Sequence, residues 1–105
     1  MSKNRFALRL LSIAEQDFLD IIDYLAADNL SAARTVADRL ETQLQSLQQH
    51  PFLGKVPADA KLARMGYRVL VAGNYLAFYK VCGKTVVIYR IIHGARNILP
   101  LLDEL

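Results

Sequence analysis

Two glycine-led dipeptides, Gly73-Asn74 and Gly83-Lys84, divide the C-terminal part of this chain into three short runs. These are 66–72 (GYRVLVA), 75–81 (YLAFYKV) and 85–92 (TVVIYRII), each dominated by β-branched and aromatic side chains. Strand-forming runs joined by two-residue turns read as an antiparallel meander. Such a sheet has an apolar face that must be buried, and the rest of the chain has to supply the cover.

The preceding residues do so with two helical stripes. Ala14, Phe18, Ile21, Ile22 and Leu25 recur at helical spacing, with Tyr24 at the end of the stripe and Asp17, Asp20 and Asp23 off it. Ser12 with Glu15 three residues on forms a capping box, so a helix is expected from Ser12 to about Asp28-Asn29. Ala33, Val36, Ala37, Leu40, Leu44 and Leu47 make a second stripe. It is expected to be capped by Ser31 and to end at His50-Pro51, because proline pushes the residue before it out of the helical region. The short link at 28–30 makes the pair an antiparallel hairpin. Residues 5–11 alternate as a first strand, with Phe6, Leu8 and Leu10 on one face. Residues 51–65, with two prolines and a glycine, read as a loop. The expected fold is therefore α+β: one domain over 1–105, ordered β-α-α-β-β-β, with a helical hairpin packed on a curved antiparallel sheet.

Two-residue turns fix a register. Ala72 pairs with Tyr75, Arg68 with Tyr79, Tyr79 with Ile88 and Ala77 with Arg90. In that register Arg68, Tyr79 and Arg90 share a free, cationic face. Val69, Val71, Leu76, Phe78, Val87, Tyr89 and Ile91 then form the core face, with Phe18, Ile22, Leu40, Leu44 and Phe78 buried in one core.

Charge divides the chain. Residues 12–50 carry seven acids against Arg34 and Arg39, and residues 55–96 carry eight bases against Asp59 alone. An acidic and a basic surface follow. A hydrophobic content of 53% favours folding over disorder. No segment is long and apolar enough for a membrane span, and the stretch between Arg5 and Arg9 is too short for a signal-peptide core. The single cysteine, Cys82, excludes an internal disulfide and a cysteine-rich zinc site. A cytoplasmic location is expected, with no metal and no cofactor.

Four segments, in this order and spacing, resemble the RelE/ParE toxin superfamily: AEQDFLDIIDY (14–24), LQQHPFLG (47–54), GYRVLVAGNYLAFYKV (66–81) and VVIYRIIHGARNIL (86–99). The ending IIHGARNIL, followed by an apolar, acidic tail, is closer to the ParE branch. The resemblance implies a plasmid-stabilisation toxin of a type II toxin–antitoxin system. Such a toxin is expected to inhibit growth by binding an essential target, DNA gyrase foremost, without performing chemistry. It implies a cognate antitoxin as partner, a toxin–antitoxin hetero-oligomer as an expected assembly, and no membrane partner. Arg68, Lys80, Arg90 and Arg96 of the basic half, with Leu101 and Leu102 of the tail, are the residues expected to bind target or antitoxin. An inactive member that only binds its antitoxin is a further alternative.

The other branch consists of ribosome-dependent mRNA endonucleases. Metal-free RNA cleavage needs a base, cations at the phosphate and an acid. Arg68 and Arg90 resemble the arginines of such sites and would clamp a phosphate. His93 would move protons, and Tyr79 would stack or donate. Lys55, Lys61 and Arg64 would hold the RNA backbone. A lone strand-end histidine is more often structural, and His50 before Pro51 suits a helix C-terminus.

Overall fold

The computed structural model describes residues 5–94. Its elements are β1 (Ala7–Leu10), α1 (Ser12–Asp28), α2 (Leu30–Ser46), α3 (Ala60–Arg64), β2 (Arg68–Ala72), β3 (Tyr75–Cys82) and β4 (Thr85–His93). They form an α+β fold in which the sheet order is β1-β4-β3-β2. The sheet is mixed rather than wholly antiparallel, because β1 runs parallel to β4, from Ala7 opposite Thr85 to Leu10 opposite Ile88.

The strand runs into α1 with no intervening loop. Leu11 still donates its N–H to the Ile88 carbonyl (3.0 Å) while its own carbonyl receives the Glu15 N–H (3.0 Å). Leu11 thus stands at the N-cap and Ser12 is already helical, so the expected capping box does not form. A single residue then joins the helices. Asn29 donates its N–H to the Leu25 carbonyl (2.8 Å) and accepts the Ala32 N–H on its side chain (3.0 Å). It closes one helix and opens the next, in the place expected for Ser31. The second helix stops at Ser46, short of His50, and the chain leaves through a turn over 47–49. The expected loop contains α3, whose start is capped by the Asp59 carboxylate accepting the Leu62 N–H (3.0 Å).

Both hairpin turns form as the dipeptides require, with positive φ at Gly73 (62°) and Gly83 (60°). Pairing of β2 with β3 follows the expected register from Ala72–Tyr75 to Arg68–Tyr79. The β3–β4 ladder holds from Cys82–Thr85 to Tyr79–Ile88, then slips: Phe78 faces Arg90 and Ala77 faces Ile91. This bulge inserts Tyr89 and removes Arg90 from the row of Arg68 and Tyr79.

Up to the bulge the helices cover the face opposite to the one expected, and beyond it Ile91 lies under them as expected. Leu40, Leu44, Leu47 and Ala14 pack on Leu70, Ala72, Ala77, Tyr79, Val86, Ile88 and Ile91. Phe78 is buried, but in a second cluster on the other face with Tyr67, Ile92 and Leu62 of α3, against which Val69, Leu76 and Tyr89 pack. Val71 is exposed, and so is Tyr24 at the end of α1. Among the described residues, no helix is long and apolar enough to cross a membrane.

Candidate functional site

Arg68 and Tyr79 are cross-strand partners, and both fasten the loop that precedes α3. The Tyr79 hydroxyl, fully buried, accepts the Gly54 N–H at 2.8 Å. The Arg68 guanidinium donates to the Gly54 carbonyl from Nε (3.1 Å) and Nη2 (2.7 Å) and to the Phe52 carbonyl (3.0 Å). It also lies over the Phe52 ring, 5.4 Å from its centroid. Lys55 exchanges both backbone hydrogen bonds with Val69 (2.9 and 2.8 Å). Only glycine fits at 54, because a Cβ there would meet the Tyr79 hydroxyl and the Val69 carbonyl oxygen at 2.7 Å.

Arg90 is engaged elsewhere. Its Nε lies 2.7 Å from Asp17 Oδ2 and its Nη2 2.9 Å from Oδ1, with both side chains largely buried. The same carboxylate accepts the Ile91 N–H at 3.0 Å. His93, exposed at the end of β4, packs its ring edge-to-face on Tyr75 at 5.4 Å. With Asp17, Asp20 and Tyr24 it lines a pocket of roughly 400 Å³.

Lys80 belongs to the second face. Its Nζ sits 4.5 Å above the Tyr67 ring and 5.1 Å above that of Tyr89. The two rings meet edge-to-face at 5.3 Å. Burial, and then the neighbouring Tyr89, push the Tyr67 phenol above its ordinary pKa. Lys55, Lys61 and Arg64 are exposed, the last two on α3. Arg96, Leu101 and Leu102 lie outside the described residues.

The structure therefore brings Arg68 and Tyr79 together around Gly54, and takes Arg90 to α1. The shared cationic face of Arg68, Tyr79 and Arg90 does not exist, because Tyr79 faces the helices and the bulge displaces Arg90. Asp17 and Gly54 were not singled out in the sequence as members of a site. Asp17 falls off the apolar stripe of α1, but nothing local links it to an arginine 73 residues away.

Among the described residues, two surfaces are suited to macromolecules. One is a groove of roughly 340 Å³ between β1 and the helices, floored by Leu8, Leu10, Phe18 and Leu44 and rimmed by Glu15 and Glu41. The other is the fastened loop, on which Phe52, Leu53 and Val56 are exposed. Among the described residues, no group of three or more His, Cys, Asp or Glu side chains is placed to hold a metal ion.

Residues 8–98 match the family model described as the ParE toxin of the type II toxin–antitoxin system parDE. The chain is 32% identical over 90 residues to Toxin ParE1 of Caulobacter vibrioides, covering 85% of this chain and 90% of that protein. Its fold is similar to that of the chromosomal ParDE toxin–antitoxin system from P. aeruginosa (TM-score 0.72, 22% identity, 87% of this chain and 98% of the other). It is also similar to the toxin–antitoxin complex RelBE2 from Mycobacterium tuberculosis (TM-score 0.59, 23% identity, 85% and 98%).

Proposed function

This chain belongs to the ParE toxin family of type II toxin–antitoxin systems, and from that membership we propose that it arrests growth by binding DNA gyrase in the cytoplasm. A cognate antitoxin neutralises it by occupying its surface, its tail ordering on the toxin as it binds. The groove beside β1, apolar on its floor and open at a strand edge, is suited to such a segment.

The observation that carries a binding role, as against RNA cleavage, is the state of the polar groups a nuclease would need. Phosphoryl chemistry requires cations and a proton donor converging on one phosphate. Here the Arg90 guanidinium is neutralised by Asp17, Arg68 is spent on loop carbonyls, and the Tyr79 hydroxyl is closed inside the core. Freeing Arg90 for a phosphate would leave a largely buried carboxylate unpaired, a substantial cost.

The test is induction of the chain alone, with and without the protein encoded beside it. Growth should stop and the co-expressed neighbour should restore it. The DNA-damage response should rise, and purified protein should alter supercoiling by gyrase or trap cleaved DNA. Rapid cutting of ribosome-bound messages with gyrase unaffected would replace this reading with the nuclease. Normal growth with folded, soluble protein would leave a member that only binds its antitoxin.

A further inference from the structure

Single exposed apolar side chains are ordinary on a protein surface, but grouped ones mark places where something binds. Phe52, Leu53 and Val56 are 61, 52 and 57% exposed. They lie within a short stretch of loop bridged to β2 at Lys55–Val69. On the same edge strand Val71 is 60% exposed.

These side chains are held out by construction. The backbone that carries them is tied by the buried Tyr79 hydroxyl, by three Arg68 hydrogen bonds and by the bridge to Val69. A loop fixed in this way loses little conformational freedom when it docks, which favours affinity for a folded partner. Its electrostatics narrow the partner further. Lys55, Lys61 and Arg64 are exposed beside it, while the Asp59 carboxylate caps the start of α3.

We infer that this loop, with Phe52 and Leu53 at its centre and basic side chains beside it, is the surface that engages the toxin's target, inserting into an apolar cleft rimmed by carboxylates on gyrase. The inference rests on the proposed target. The antitoxin has a different place to go. The groove beside β1 lies at the opposite edge of the sheet, carries the acids Glu15 and Glu41 on its rim, and offers an open strand to a segment that folds on binding. Two partners of different kinds thus meet surfaces of opposite charge.

The experiment compares wild type with Leu53→Asp/Val56→Asp and, separately, Phe52→Ser, all verified as folded by their thermal transitions. Leu30→Asp serves as control, since Leu30 is 59% exposed at the tip of the helical hairpin and an acid there suits the first turn of α2. Gyrase binding is measured with purified enzyme, toxicity by plating after induction, and antitoxin binding by co-purification with the co-expressed neighbour. The loop variants should lose gyrase affinity by on the order of tenfold or more, and toxicity with it, as truncating central apolar contacts does. Antitoxin binding should persist, and Leu30→Asp should behave as wild type. Gyrase binding unchanged in the loop variants overturns the inference and leaves the target standing. Loss of antitoxin binding, alone or with gyrase binding, in a folded variant overturns it by giving the loop to the antitoxin. Wild type that does not bind gyrase removes both the target and this assignment.

Discussion

Asp17 of α1 grips Arg90 of β4 with both carboxylate oxygens, at 2.7 and 2.9 Å, and accepts the Ile91 N–H with one of them. The β1–β4 ladder ends at Leu10–Ile88, so the carboxylate takes over the edge of β4 just beyond the point where its strand partner stops. The pair is therefore a joint between helix and sheet as well as an ion pair.

Removing one half of that joint should be costly. With the side chains only 13% (Asp17) and 7% (Arg90) exposed, solvent screens the orphaned charge poorly. Asp17→Ala should destabilise by about 3 kcal/mol, and a double replacement by Asp17→Leu and Arg90→Met should recover much of that loss. Urea denaturation measures both. A loss below about 1 kcal/mol for Asp17→Ala, the range of an exposed pair, would contradict the role assigned to it.

The clamp on the loop can be loosened at either end. Tyr79→Phe leaves the Gly54 N–H without its acceptor and should cost about 1–3 kcal/mol. Gly54→Ala forces a Cβ to within 2.7 Å of the Tyr79 ring and hydroxyl and should cost a comparable amount through overpacking, about 1–3 kcal/mol. Hydrogen exchange at Lys55 and Val69 should quicken in both variants relative to the helices. Protection unchanged at those two amides would mean the loop is held by something else.

Alkaline pH should weaken the fold through Tyr67. Its phenol is raised above the ordinary value of 10.0 in the folded chain, so above that pH the folded state retains a proton that the unfolded state has released. Stability then falls as pH rises from the unfolded value through the folded one, and the Tyr67 contribution is complete only below about pH 10. Ultraviolet absorbance titration should show a late-ionising component that Tyr67→Phe removes, and that substitution should flatten the decline. A titration in which no tyrosine lags would refute the assignment.

His93→Gln separates binding from proton transfer. The substitution keeps much of the shape and polarity of a ring that packs on Tyr75, while removing its capacity to pass a proton between its two nitrogens. Toxicity at matched protein levels should be largely intact. A folded His93→Gln protein that no longer kills, together with message cutting by the wild type, would decide for the nuclease.

Periodicity and turn chemistry made the order of the four strands and two long helices, both helix stripes and the β2–β3 register legible in the residues alone. The choice of face was not legible, because both faces of β3 are apolar: Ala77 and Tyr79 alternate with Leu76 and Phe78. Alternation locates a core face only when the other face is polar. Here Leu62 of α3 covers part of the second face, and that short helix sits in a stretch whose prolines and glycine read as loop. The bulge at Tyr89 has no mark in the sequence either, since Val87, Ile88, Tyr89 and Arg90 read as uninterrupted strand. That one-residue slip dismantled the Arg68–Tyr79–Arg90 grouping. Side-chain capping at Ser12 and Ser31 gave way to geometry, with the strand entering α1 directly at Leu11 and Asn29 serving both helices.

The parallel pairing of β1 with β4 also has a bearing on synthesis. Ala7 finds its partner at Thr85 and Leu10 at Ile88, so β1 cannot pair until β4 has been made. Contacts of such sequence separation slow folding, and a growing polypeptide holds its first strand unsatisfied until the last hairpin has emerged from the ribosome. A message truncated anywhere before the codons for β4 would encode an unpaired β1 and an Asp17 with no Arg90 to hold. Broken copies of the gene should therefore yield chains destined for proteolysis rather than fragments of working toxin.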